Sequence, residues 1–464
     1  MPLPKVPVIV LAAKGISDKL KANDLFKLLG TVLEGLQRYG IQVRSYACDG
    51  SAVECSIQDK LNAAATRVDQ IDIVHPGRPS SSLTIKIHFH NNNPIVNIQD
   101  PNHGLKSTRN NAFSGARLLT FPNDVVMYSQ FRQIAYSQGP IYMKDVEKLD
   151  RQDDNAATRL FSADTLQWLV QHHSLDRKAV IVYLFVFGEL IDAYRSRTIS
   201  VQERVKMILR AHFFLEFWTA FLAVGHYAPA KHLISREFVR ITRTLIDGFL
   251  QLVIVYRDHC PPFTPFLPWL VTTEACEHMF GSARHLVKDF TMADFHQMLP
   301  KLAVKMRQAV FSSQYTDGKA RASGYSHTYT DCRGVDLQAL AQYPSNEEIN
   351  SASQVAYSEA TNLFALLGVN GDHLLKSTNA GSASGFPSID QWYHTPSTKN
   401  KESSDSDDDA SSTSSSSESE GEETLQNLLD RTKNMIPTSN MRENRLNGLR
   451  RAATALIVED TSRL

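Results

Sequence analysis

Ile41-Gln42-Val43-Arg44-Ser45-Tyr46-Ala47-Cys48-Asp49-Gly50-Ser51 alternates apolar and polar residues and then breaks at Asp-Gly-Ser. The period of two predicts a strand, and Asp49-Gly50-Ser51 is the turn that ends it. Upstream, Ala22 to Tyr39 carries Leu25, Leu28, Leu29, Val32 and Leu36 at helical spacing, and Gly40 stops that helix. Earlier still, Val6 to Ala12 (VPVIVLA) is a short apolar run rich in β-branched residues, the pattern of a buried strand. Strand, helix, strand predicts two parallel strands joined by a right-handed crossover, and so an α/β fold. An Asp at the carboxyl end of such a strand is where open α/β sheets place their chemistry. Asp-Gly is also an ordinary turn, and the residues leave both readings of Asp49 open.

The chain has 464 residues, 42% of them hydrophobic and 9% aromatic, enough for two or three domains with a sizeable core. Its five cysteines are odd in number and scattered, with no CxxC pair, which argues against a zinc finger or a disulfide framework and suits a reducing compartment. The N-terminus lacks the charged start and length of a signal peptide. The apolar stretches 179–191 and 211–225 are broken by Glu189, His212 and Glu216, so they read as buried helices and not as membrane spans. The formal charge of zero hides an asymmetry. Residues 402–424 hold nine acids and no lysine or arginine, which leaves 49 basic against 40 acidic residues elsewhere. A mildly basic body permits a nucleic-acid partner without requiring one.

Downstream of the opening unit, Ser56 to Val68 reads as a helix, while Leu83 to Phe89 and Pro94 to Ile98 read as strands. The second strand runs into Gln99-Asp100-Pro101-Asn102-His103-Gly104-Leu105-Lys106-Ser107-Thr108-Arg109-Asn110-Asn111. A helix over His103 to Ala116 would align His103, Lys106 and Asn110 on one face. That segment is either a capped surface helix with a structural histidine, or an acid and a His facing a phosphate or a metal-bound site. From about 120 to 260 the pattern is helical. Val180 to Tyr194, Val205 to Val224 and His232 to Tyr256 are long and aromatic-rich, with Phe213, Phe214, Phe217, Trp218 and Phe221 as core.

Past a Pro268-Trp269 loop, Thr272 or Thr273 can cap a helix through Glu274-Ala275-Cys276-Glu277-His278-Met279-Phe280-Gly281-Ser282-Ala283-Arg284. Glu274 and Glu277, three apart, share one face. Phe290 to Phe311 follows as an amphipathic helix, kinked or broken at Pro300. Residues 318–334 are turn-rich and Asn346 to Leu367 contains a helix. Ser377 to Thr424 is too Ser- and acid-rich to order itself. Its serines beside Asp and Glu suit an acid-directed kinase, and its charge suits basic protein partners. Residues 425–458 carry short helical patterns.

As an ordered set, SYACDGS, then QDPNHGLKSTRNN, then a helical block, then TEACEHMFGSAR resembles the P-element-like DDE transposases. In that family an RNase H-like domain is split by a helical insertion. The resemblance covers roughly residues 1–312. It implies that Asp49 is the second catalytic Asp and Glu277 the final acid, with Glu274 in the place of an acid associated with nucleotide contact. Asp100 and His103 belong to an Asp-Pro-x-His segment, and Lys106, Arg109 and Arg284 would contact DNA phosphates or brace the acids. It further implies a Mg²⁺ or Mn²⁺ site on Asp49 and Glu277, DNA as partner, and GTP at the insertion. Two cations about 3.5–4 Å apart would activate the attacking oxygen and stabilise the leaving one.

The family's first catalytic Asp lies on a strand that should precede the one matched by Val6–Ala12, and nothing upstream of Asp49 replaces it. Asp18 and Asp24 fall in the loop and first helix, not in a strand. Substitution by Asp100 is the alternative. The expectation is therefore an α/β fold: a partial RNase H-like core in 1–120 without its first strand, and an all-α insertion in 121–262. The core would resume in 263–315 with the Glu277 helix, followed by a helical extension in 316–375 and a disordered tail in 376–464. The expected protein is a transposase-like element remnant in the nucleus, impaired in strand cleavage, with no membrane association and with a homodimer allowed. A non-enzymatic DNA- or protein-interaction scaffold is the alternative.

Overall fold

The computed structural model describes residues 9–13, 21–78, 80–147, 150–173, 176–311, 332 and 334–377. Helix α1 (Ala22–Arg38) leads to strand β1 (Ser45–Cys48), helix α2 (Ala52–Ala63), strands β2 (Arg67–Val74), β3 (Ser82–His90), β4 (Asn93–Pro94) and β5 (Val96–Gln99), and helix α3 (Pro101–Phe113). A small hairpin, β6 (Leu119–Thr120) with β7 (Val125–Val126), precedes the helices α4 (Tyr128–Tyr136), α5 (Met143–Glu147), α6 (Asp154–Leu160) and α7 (Ala163–His173). Then come α8 (Lys178–Arg195), α9 (Val201–Val224), α10 (Pro229–His232), α11 (Arg236–His259), α12 (Glu274–Leu286), α13 (Met292–Phe311), α14 (Asn346–Leu366) and α15 (Gly371–Ser377). The fold is mixed α/β and mostly helical.

The parallel pairing differs from the expected one. Residues 9–13 form no regular element, and Val6 to Val8 lie outside the described residues. Val10 and Ala13 pack in part against the apolar cluster of α12 and α13, while Ile9 and Leu11 are exposed, so what burial this run has comes from two helices and not from a sheet. The parallel partner of β1 is β5, in register from Ser45 with Val96 to Cys48 with Gln99. Beside it, β2, β3 and β4 form an antiparallel ladder. Ile95 joins β4 to β5 and donates its N–H to the His88 carbonyl at 3.1 Å, which sets the two ladders side by side.

Two boundaries moved for local reasons. Ser51 accepts a hydrogen bond from the Glu54 N–H, so α2 starts four residues before Ser56 and ends at Ala63. Val68 belongs to the unanticipated strand β2, which pairs along its length with β3. Asp100 caps α3 and Pro101 takes its first position, so that helix starts before His103 and ends at Phe113. Pro300 lies inside a helix that runs on both sides of it.

One apolar cluster runs from the sheet (Ile85, Ile87, Phe89, Ile98) through α8, α9 and α11 to Ala356 and Phe364 of α14. Phe213, Phe214, Phe217 and Trp218 sit inside it and Phe221 packs against it. Helix α11 lies directly on β5: a Cβ on Gly248 would stand 2.7 Å from the Asn97 carbonyl oxygen. The one helix among the described residues apolar and long enough to cross a membrane is α9, and it is mostly buried in this core. The turn-rich stretch 318–334 (apart from Cys332 and Gly334), the Ser- and acid-rich segment and residues 425–458 lie outside the described residues.

Candidate functional site

Strands β1 and β5 run side by side in the same direction, and each is followed at once by an aspartate. The Asp100 N–H donates to the Cys48 carbonyl at 2.8 Å, which carries the pairing to the last strand residue before Asp49. The two acids nevertheless sit in different surroundings. Asp100 is 1% exposed. Its two oxygens accept the N–H groups of Asn102 and His103, each at 3.3 Å, and Thr273 adds a side-chain hydrogen bond. Burial outweighs these bonds and raises its pKa.

Asp49 is exposed, at a turn that needs glycine next to it. Gly50 has φ +94°, and a Cβ there would meet Gln99 Oε1 at 2.8 Å. The Ser51 N–H donates to Asp49 Oδ1 at 2.8 Å, and the Asp49 N–H donates to Glu54 Oε2 at 3.0 Å. The two carboxyls also share a hydrogen bond, which is the main reason Asp49 titrates low. Burial, then that bond and the Asp49 charge, push Glu54 up to about 7. Glu54 is the residue sequence reasoning missed. It was hidden because it lies in the first turn of a helix placed too late.

Helix α12 brings the remaining acids. Thr273 is its N-cap by backbone, while Thr272 Oγ1 accepts from the Glu274 N–H at 3.3 Å. Glu277 is exposed and receives a long hydrogen bond from Thr273 Oγ1 at 3.5 Å. Its pKa is raised by partial burial and then by the charge of Asp100, against the pull of Lys106. Glu274 is raised by burial, opposed by Arg195, with Asp100 and Glu277 adding to the rise. His103, half-buried, is lowered by burial and then by Lys106, while Asp49, Glu277 and Asp154 pull it back. Asp49, Asp100, His103, Glu274 and Glu277 are thus linked in one electrostatic neighbourhood, although the chain separates them widely.

The three cations go different ways. Lys106 is buried and paired with Asp154 Oδ1 at 3.2 Å. Arg109 is 1% exposed and donates to the carbonyls of Asp153 (3.0 Å) and Asp150 (2.6 Å), so it braces α3 against the start of α6 and offers no surface to a phosphate. Arg284 is exposed in the last turn of α12, where a cation suits the helix dipole.

Among the described residues no group of three or more His, Cys, Asp or Glu side chains is arranged to hold a metal ion. Both oxygens of Asp100 are occupied by backbone donors, and Asp49 is occupied by Ser51 and Glu54. No family model matches the chain, and neither does any curated protein or solved structure.

Proposed function

We propose that the chain is a transposase-like protein whose RNase H-related core retains DNA interaction but does not cleave strands unaided. One observation carries this reading: Asp49 and Asp100 follow adjacent parallel strands, Glu277 on a helix from far along the chain feels the charge of Asp100, and His103 feels both Asp49 and Glu277. A strand-end Asp49 and a helical Glu277 are the pair that the ordered motifs implied, with Asp100 as the alternative ligand. The parallel pairing of β5 with β1 supports Asp100 as the substitute for the missing first acid. Asp100 serves as a helix cap and Asp49 shares a hydrogen bond with Glu54, which adds to the missing first acid as support for weak cleavage. A nuclear location belongs to this proposal.

The full chain, incubated with duplex DNA and Mg²⁺ or Mn²⁺, is expected to bind DNA with an affinity that falls as salt rises. Nicking is expected to stay at background in the wild type and in Asp49→Ala and Glu277→Ala alike. Nicking that both substitutions abolish would overturn the inactive reading and make the site a working one. Absence of DNA binding would sink the proposal and leave a protein-interaction scaffold.

A further inference from the structure

One turn beyond Glu277, helix α12 carries an aromatic ring that the core does not use. Met279 and Ala283 join Phe295, Met298 and Leu302 of α13 in a small apolar cluster. Phe280 stands outside that cluster and is 45% exposed. Two other rings hold it in place. Phe290 lies 6.4 Å away, centre to centre, with its plane within 4° of parallel, and the buried Phe295 lies at 5.7 Å. Phe280 is thus the outer ring of an anchored aromatic group. Glu277, three residues before it, and Arg284, four after, share its face of the helix, and both are exposed. The surface past this point is basic. From Arg284 to Arg307 the chain has five lysines and arginines against two aspartates. Lys288, Lys301 and Arg307 are exposed, while one of the aspartates, Asp294, is engaged at the start of α13, accepting the Thr291 N–H at 2.8 Å and hydroxyl at 2.7 Å.

We propose that Phe280 is a stacking platform for an unpaired base, with Arg284 receiving the adjoining phosphate. The inference rests on the proposed DNA role and adds the form of nucleic acid that this site takes, a single strand passing beside Glu277. Charge complementarity selects the occupant: an exposed ring beside a guanidinium, on a basic surface, matches a base and its phosphate. Every base has a flat face to stack, so the platform asks for no particular sequence. Within a duplex those faces are covered by neighbouring bases, and only a base out of the stack can use the ring. Glu277 repels a phosphate, so the backbone runs on the Arg284 side, and the base that covers Phe280 lies next to the acids.

The test is fluorescence anisotropy of the full chain with a labelled oligothymidylate and with a blunt duplex of the same length. Phe280→Leu keeps an apolar side chain against Phe290 and Phe295 but removes the ring. It should weaken single-strand binding about tenfold and leave duplex binding unchanged. Phe280→Trp should restore the single-strand affinity, which a merely structural role for the position would not require. Arg284→Ala should lower the slope of log affinity against log salt by about 0.7 for the single strand, the share of one phosphate contact. A wild type that binds neither probe sinks the DNA reading and this inference with it. Binding to both probes that Phe280→Leu leaves untouched overturns the platform alone and keeps the DNA reading. A dimer that Phe280→Leu converts to monomer, with single-strand affinity unchanged, also overturns it, since a second copy would then be what covers the ring.

Discussion

Helix α8 buries sixteen of its eighteen residues, and α12 buries five of thirteen. The helical block and the acidic edge are held by different forces. The block rests mainly on apolar burial, with buried polar groups such as Arg204 and Trp218 satisfied by backbone carbonyls. The edge rests on caps, turns and shared protons, with α12 and α13 closing a small cluster of their own around Met279, Phe295 and Leu302. The block also positions the edge, because α11 lies on β5 at Gly248 and so sets the strand that ends in Asp100. Fold and site are therefore separable by mutation. Changes in the block should cost stability, and changes at the edge should move titration and binding.

The largest effect is expected at Trp218. It is 0% exposed, stacks on Phe121 with ring centres 4.3 Å apart, and donates its indole N–H to the Thr120 carbonyl at 2.8 Å. Trp218→Ala leaves a large cavity and an orphaned carbonyl, and should cost about 3–5 kcal/mol in a urea melt. A cost under about 1 kcal/mol would mean that the block is not packed as described and would remove the contrast.

A middle-sized effect separates the two strand-end acids. Asp100→Ala deletes a helix cap and should cost about 1 kcal/mol, whereas Asp100→Asn keeps a good cap. The sign of its pH dependence follows from burial. The folded pKa of Asp100 is raised, so the stability this group supplies is greatest below about pH 4 and declines as pH rises through the raised value. Asp100→Asn lacks that decline, so it should gain on the wild type between pH 4 and pH 7. A difference between the two proteins that stays constant across this range breaks the assignment. Asp49→Asn, at an exposed turn, should change stability by under about 0.5 kcal/mol.

Much of the block was legible because α8, α9 and α11 repeat their apolar residues at helical spacing through aromatic-rich stretches. The edge was legible only in pieces. Asp49 and Asp100 each announce a strand end, yet nothing in the sequence says that the two strands are neighbours. That follows from a parallel pairing which skips over β2, β3 and β4. Val68 fits a helical repeat with Leu61, Ala64 and Ala65 as well as it fits the alternation of β2, and only the pairing with β3 decides. Glu54 became visible once Ser51, and not a later residue, proved to be the cap. The apolar run near the N-terminus suits a strand and a helix-packing segment equally, since burial alone does not reveal which partner supplies it.

The smallest expected effect sharpens the comparison most, because it tests whether the edge behaves as one electrostatic unit. Lys106 lies in contact with Asp154, whose side chain is 52% exposed, so solvent screens the pair and Asp154→Asn should change stability by under about 1 kcal/mol. Its electrical effect reaches further. Asp154 raises Glu277 and pulls His103 upward, so neutralising it should lower both pKa values together. Carboxyl and imidazole shifts followed by NMR titration would show the two moving in the same direction while α8 stays unperturbed. If Glu277 moves and His103 does not, the acids on α12 and the strand ends are two neighbouring sites, and the layout that supports the transposase-like reading loses its third member.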